Sequence, residues 1–105
     1  MAKNKVARVM ERVNLPYAYD HFAEGESPDP PFLIYRFPNS DSFIADGVVY
    51  YKIDVMHLEL YTDKKDPALE EMIEGVLDKI PFVYQKSETW IASEKLYEVL
   101  YEMEV

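Results

Sequence analysis

Three groups of residues in this 105-residue chain have side chains and spacings that could do chemistry. The first lies in FPNSDSFIADG, residues 37–47, where Asn39-x-Asp41 and Asp46-Gly47 offer the oxygen ligands of a calcium loop. Such a loop needs oxygens at alternate positions, a central glycine and a distal glutamate. Here Phe43 and Ile44 stand where ligands should be and no glutamate follows at the required distance, so no metal is expected. Asp46-Gly47 reads instead as turn chemistry. That leaves Phe43 and Ile44, with Asp46 beside them, as apolar residues inside a polar connection, to pack either on their own sheet or on a neighbouring subunit. The second group pairs Pro28-Asp29 with Asp63-x-Lys65, the pattern of a nuclease whose carboxylates hold magnesium while a lysine orients water. Both halves sit in turn-forming sequence, which is their simpler explanation. The third is His57 and Glu59, two apart and so on one face of a strand, but two ligands make no metal site.

Other chemistries are excluded by composition. There is no cysteine, hence no disulfide, thiolate zinc site, iron–sulfur cluster or thiol nucleophile. Three scattered glycines, Gly25, Gly47 and Gly75, cannot build a phosphate-cradling loop. No Gly-x-Ser-x-Gly is present. No catalytic residue and no cofactor is therefore expected, and the chain reads as non-enzymatic. The N-terminal MAKNKVARVMERV has no apolar run long enough for a signal peptide or membrane span.

Charge is divided unevenly. Residues 1–15 carry Lys3, Lys5, Arg8 and Arg12 against Glu11, a net of +3, while the remaining ninety carry −12, giving −9 overall. So acidic a body repels phosphate and argues against sequence-specific nucleic-acid binding. Lys5, Arg8 and Arg12 form a stripe that suits either an acidic partner or simply the wet face of a helix.

The elements that must position these residues follow from periodicity. Val6, Val9, Met10 and Val13 mark one face of a first helix, ended near Pro16. A short strand is predicted over 17–22, a proline-rich loop over 23–31, and a strand covered on both faces over 32–35. Residues 48–62 read as one long strand whose apolar phase switches from odd to even positions near Val55, a sign of a bulge or a change of covering partner. Asp66 and Pro67 open a second helix whose apolar face is Leu69, Met72, Ile73, Val76, Leu77 and Ile80. A strand at 82–86, a turn at Ser87-Glu88 and a C-terminal strand through Tyr97, Val99, Tyr101, Met103 and Val105 complete the chain. The expected fold is a single α+β domain over 1–105, in the order α-β-β-β-α-β-β, with a mixed, mainly antiparallel sheet flanked by two helices.

Several stretches together resemble a known family. LPYAYDHFAEGESPDPPFLIY, DSFIADGVVYYK, HLELYTDKKDPALEEMIEGVL and VYQKSETWIASEKLYEVLYEMEV are similar to small structural proteins from the late gene clusters of tailed phages and prophages of Gram-positive bacteria. The likeness runs from about Leu15 to Val105, its most specific parts being PFLIY, ELYTDKKD and the EKLYEVLYE ending. The resemblance implies a tail-terminator or tail-completion protein, or else a head-completion component, made in the host cytoplasm and carried in the virion at the head-proximal end of the tail. It further implies a homo-oligomeric ring, commonly of six, contacting tail-tube and head-completion proteins, with no membrane partner. An acidic conduit would let DNA slide past without sticking.

Overall fold

The computed structural model describes residues 2–40, 43–45, 48–51 and 53–105, with side chains over 5–39 and 53–105. Helix α1 spans Ala2–Val13. It stops at Asn14, which adopts the left-handed φ of 56° that asparagine tolerates at a helix end, and whose amide donates to the Met10 carbonyl at 3.2 Å. Strand β1, Tyr17–Tyr19, is shorter than expected because Asp20 turns left-handed at φ 66° and leads the chain off the sheet. Strand β2, Phe32–Ser40, follows the proline-rich loop, then β3, Phe43–Ala45, and β4, Val48–Tyr51. Strand β5 is Asp54–Thr62, helix α2 Pro67–Lys79, β6 Tyr84–Ile91 and β7 Leu96–Glu104.

Five strands form one sheet in the order β1-β2-β5-β7-β6, and β3 and β4 form a separate pair. Among the described residues only β1 and β2 run parallel; the other pairings are antiparallel. Without the β3–β4 pair the element order is the expected α-β-β-β-α-β-β, and the fold is α+β.

The register explains the core. Leu33 stands opposite Leu60 and Leu60 opposite Val99; Tyr35, Leu58 and Tyr101 form the next row, and Met56 with Met103 the one after. These side chains share a face and pack with Val6, Val9, Met10 and Val13 of α1 and Ile73 and Leu77 of α2, so both helices cover the same side of the sheet. Helix α2 begins as its sequence dictates: the Asp66 carboxylate accepts from the Leu69 amide at 3.2 Å and Pro67 fills the first turn. Strand β2 is buried on both faces, Leu33 against the helices and Phe32 and Ile34 on the other side. There Phe32 stacks on Tyr61 at 5.2 Å and receives the edge of Phe22 from the loop.

Two expectations are corrected. The residues expected to turn, Ser87 and Glu88, lie inside β6, paired with Leu100 and Val99; the turn comes at residues 92–95, where Lys95 takes φ 54°. The polar letters of β6 reflect its place at the sheet edge, where charged side chains protect unpaired backbone. The long strand predicted over 48–62 is two strands, β4 on β3 and β5 on β2 and β7. Where the apolar phase switches, Val55 is buried on one face of β5 and Met56 on the other.

Candidate functional site

The connection that holds Phe43 and Ile44 is not a loop. Strands β2 and β5 stay paired out to Asn39 opposite Val55 and Ser40 opposite Asp54, after a register shift between Arg36 and Asn39. Pro38 sits in that irregular step, where a residue without an amide proton costs no ladder hydrogen bond. Beyond it Phe43 pairs with Tyr51, Ile44 with Val49 and Ala45 with Val48. The β-branched and aromatic content of FIA and VVYY outweighs the Asn, Ser and Asp around it and makes a hairpin. The two strands of this arm form a sheet of their own, apart from the five-stranded sheet. The domain is long, 48 × 29 × 22 Å, with a radius of gyration of 14.9 Å against roughly 13 Å for a compact chain of this size. The turn expected at Asp46 lies outside the described residues, as do the side chains of Phe43 and Ile44.

The basic stripe is on the outside of α1. Lys5, Arg8 and Arg12 are exposed, and Lys5 Nζ lies 5.9 Å from the centre of the Phe82 ring. Among the described residues no carboxylate pairs with any of the three. Between α1 and the edge of the sheet runs a groove of about 450 Å³, lined by Val6, Ala7, Met10, Tyr17, Tyr19, Tyr35 and Phe37. Tyr19 meets Tyr35 edge-on at 5.3 Å, with Tyr17–Tyr35 at 6.3 Å and Tyr19–Phe37 at 6.2 Å. Burial, then the neighbouring Tyr17 and Tyr19 phenols, pushes the Tyr35 hydroxyl above its ordinary 10.0. Tyr17 and Tyr19 are still half exposed, at 49% and 57%. Sequence reasoning missed this groove. The alternation of Tyr17 with Tyr19 and of Tyr35 with Phe37 was legible, but not the parallel pairing that sets Tyr17 opposite Leu33 and Tyr19 opposite Tyr35.

The nuclease-like residues are not gathered into a site. Asp29 and Asp63 are exposed, and Lys65 is committed elsewhere. Its Nζ lies 2.8 Å from Glu70 and 3.1 Å from Glu88, while Lys86 Nζ lies 2.7 Å from Glu70 and 2.8 Å from Glu74. Tyr101 donates to Glu74 at 2.8 Å and joins the same network. Burial pushes the Glu70 carboxyl up, but hydrogen bonds from Lys65 and Lys86 outweigh it and hold the group below its ordinary 4.5. The lysines respond in kind: bonding to Glu70 raises both above their ordinary 10.5. The turn ahead of α2 is thus pinned to β6 through a buried carboxylate.

His57 and Glu59 share the helix-free face, as their spacing requires, but each takes a different partner. His57 Nε2 lies 2.8 Å from Glu102, whereas Glu59 accepts from Arg36 Nε at 3.1 Å and from the Tyr61 hydroxyl at 2.8 Å. Tyr61 also donates to Glu98 at 2.7 Å; burial first, then these carboxylates, drive its phenol far above 10.0. His21 is apart from them in the exposed loop, 2.8 Å from Asp20. Among the described residues no three His, Asp or Glu side chains are grouped to hold a metal ion, and no helix is long and apolar enough to cross a membrane.

No family model matches the chain, and no curated protein matches it significantly in sequence.

Proposed function

We propose that this chain is a non-enzymatic structural subunit of a tailed phage or prophage, resembling the tail-terminator and tail-completion proteins that cap the tail tube and join it to the head. The arm is the observation that carries this reading. A small α+β body from which a β-hairpin extends, bearing Phe43 and Ile44 on its first strand, has the form of a subunit that reaches to a neighbour. Contacts between unlike surfaces of identical subunits close into rings when the rotation permits, which is what a tube cap requires. The acidic body supports the same reading, since like charge lets DNA pass. The engagement of Lys65 by Glu70 and Glu88 favours an architectural use of Asp63-Lys64-Lys65 over a catalytic one.

Gold-labelled antibody on virions tests the location. Label at the head–tail junction is the expected result; label confined to tail-less heads would move the protein to head completion, and label on neither would overturn the reading. Incubation with DNA and magnesium tests the enzymatic rival. The DNA should stay intact, and cleavage that both Asp63→Ala and Lys65→Ala abolish would overturn the non-enzymatic assignment.

A further inference from the structure

We infer that the aromatic groove between α1 and β1 is the receptor for the β3–β4 arm of a second copy of this chain. The inference rests on the reading of the chain as an assembly subunit and supplies the missing half of its contact.

Chemistry is the first argument. The groove is walled by Val6, Ala7 and Met10 on one side and by Tyr17, Tyr19, Tyr35 and Phe37 on the other, with half of each outer tyrosine open to water. Aromatic-lined concavities of this kind take apolar anchors, and the arm strands carry Phe43, Ile44, Val48 and Val49.

Charge is the second. Residues 41–54 hold Asp41, Asp46 and Asp54 against Lys52, whereas the helix forming one wall carries Lys5, Arg8 and Arg12 on its solvent face. A helix is ~10 Å across, about one Debye length, so that positive charge is felt at the groove. Elsewhere the surface is strongly acidic and would repel an acidic arm.

Geometry is the third. Tyr35 and Phe37, which line the groove, lie on β2, whose last pairings with β5 are Asn39 with Val55 and Ser40 with Asp54. Strands β3 and β4 pair with each other outside the five-stranded sheet, and the base of the arm is held beside β5 by these last pairings. The groove also opens at the sheet edge, where β1 has a neighbour on one side only, leaving room for a strand to arrive. Arm-to-groove contact joins unlike surfaces, so each copy both gives and receives, and the contact propagates until it closes.

The absence of cysteine allows a direct test. Ala7 lines the groove and Ala45 lies on the arm; the double variant Ala7→Cys with Ala45→Cys places one thiol at each surface while keeping every anchor. Oxidised with glutathione disulfide at high protein concentration, it should give a ladder of covalent oligomers on a non-reducing gel. A control with Ala45→Cys and Ser93→Cys, Ser93 being in the exposed turn after β6, should stay largely monomeric. A fast-migrating monomer with an internal disulfide would show the arm folding back on its own groove and overturn the inference. So would a ladder no stronger than the control. A virion antibody that labels no head–tail junction would defeat the phage reading while leaving a positive ladder standing, so the two failures are distinguishable.

Discussion

Glu70→Gln should destabilise the domain at neutral pH and do nothing in acid. The wild-type carboxylate is only 4% exposed and takes two ammonium groups, Lys65 at 2.8 Å and Lys86 at 2.7 Å. A hydrogen bond to a charged group contributes about 1.5–3 kcal/mol. Both lysines are more than a third exposed and keep second carboxylates, Glu88 and Glu74, so much of that is recovered through solvent and the remaining pairs. The net loss should be ~2 kcal/mol, equivalent to a fall in Tm of roughly 10 °C for a domain of this length. Because Glu70 is held below its ordinary 4.5 in the fold, its contribution is complete above that value and disappears as pH falls through the folded pKa. Urea denaturation of wild type and variant at pH 7 and again in strong acid measures both halves. Equal stability at pH 7 would refute the reasoning, as would a ~2 kcal/mol gap that persists in acid.

Other outcomes follow from particular side chains. Gly75 lies within α2 with open space where a Cβ would stand, so Gly75→Ala should stabilise the domain by ~1 kcal/mol in the same urea assay. Leu58 is fully buried between Tyr35 and Tyr101, and Leu58→Ala should cost about 3 kcal/mol through the cavity it leaves. Arg8→Glu with Arg12→Glu reverses the exposed charge of α1 and should weaken self-association measured by sedimentation velocity, without lowering Tm by more than ~1 kcal/mol equivalent.

Most of the body was legible because its elements are locally determined. The Asp66-Pro67 start of α2 and the valine stripe of α1 place residues without reference to the rest of the chain, whereas the ending suits a helix through Leu96, Val99, Leu100 and Met103 as well as the strand that its odd positions form. Strand β2 was readable as doubly covered from Phe32 to Tyr35, an unbroken apolar run. What escaped was set by tertiary neighbours. Strand β6 looks like a turn because its Lys86 and Glu88 satisfy carboxylates and lysines that arrive from α2 and the turn before it. Glu70 falls outside the apolar stripe of α2, and its burial depends on Lys86, which arrives from β6, as well as on Lys65 in the turn before the helix. The arm was hidden by its own polar letters, and the groove by a parallel pairing across the proline-rich loop. Phe43 and Ile44 stand out in the sequence as apolar residues in a polar connection, to pack either on their own sheet or on a neighbour. The structure places both on β3, paired with β4 outside the five-stranded sheet.

Complementation tests the central claim most directly. A phage or prophage deleted for this gene and supplied in trans with wild type should yield finished tails joined to heads in electron micrographs. Supplied with the Phe43→Ser, Ile44→Ser double variant, it should yield unjoined heads and tails of irregular length. Normal particles from the double variant, made at wild-type level, would contradict the account.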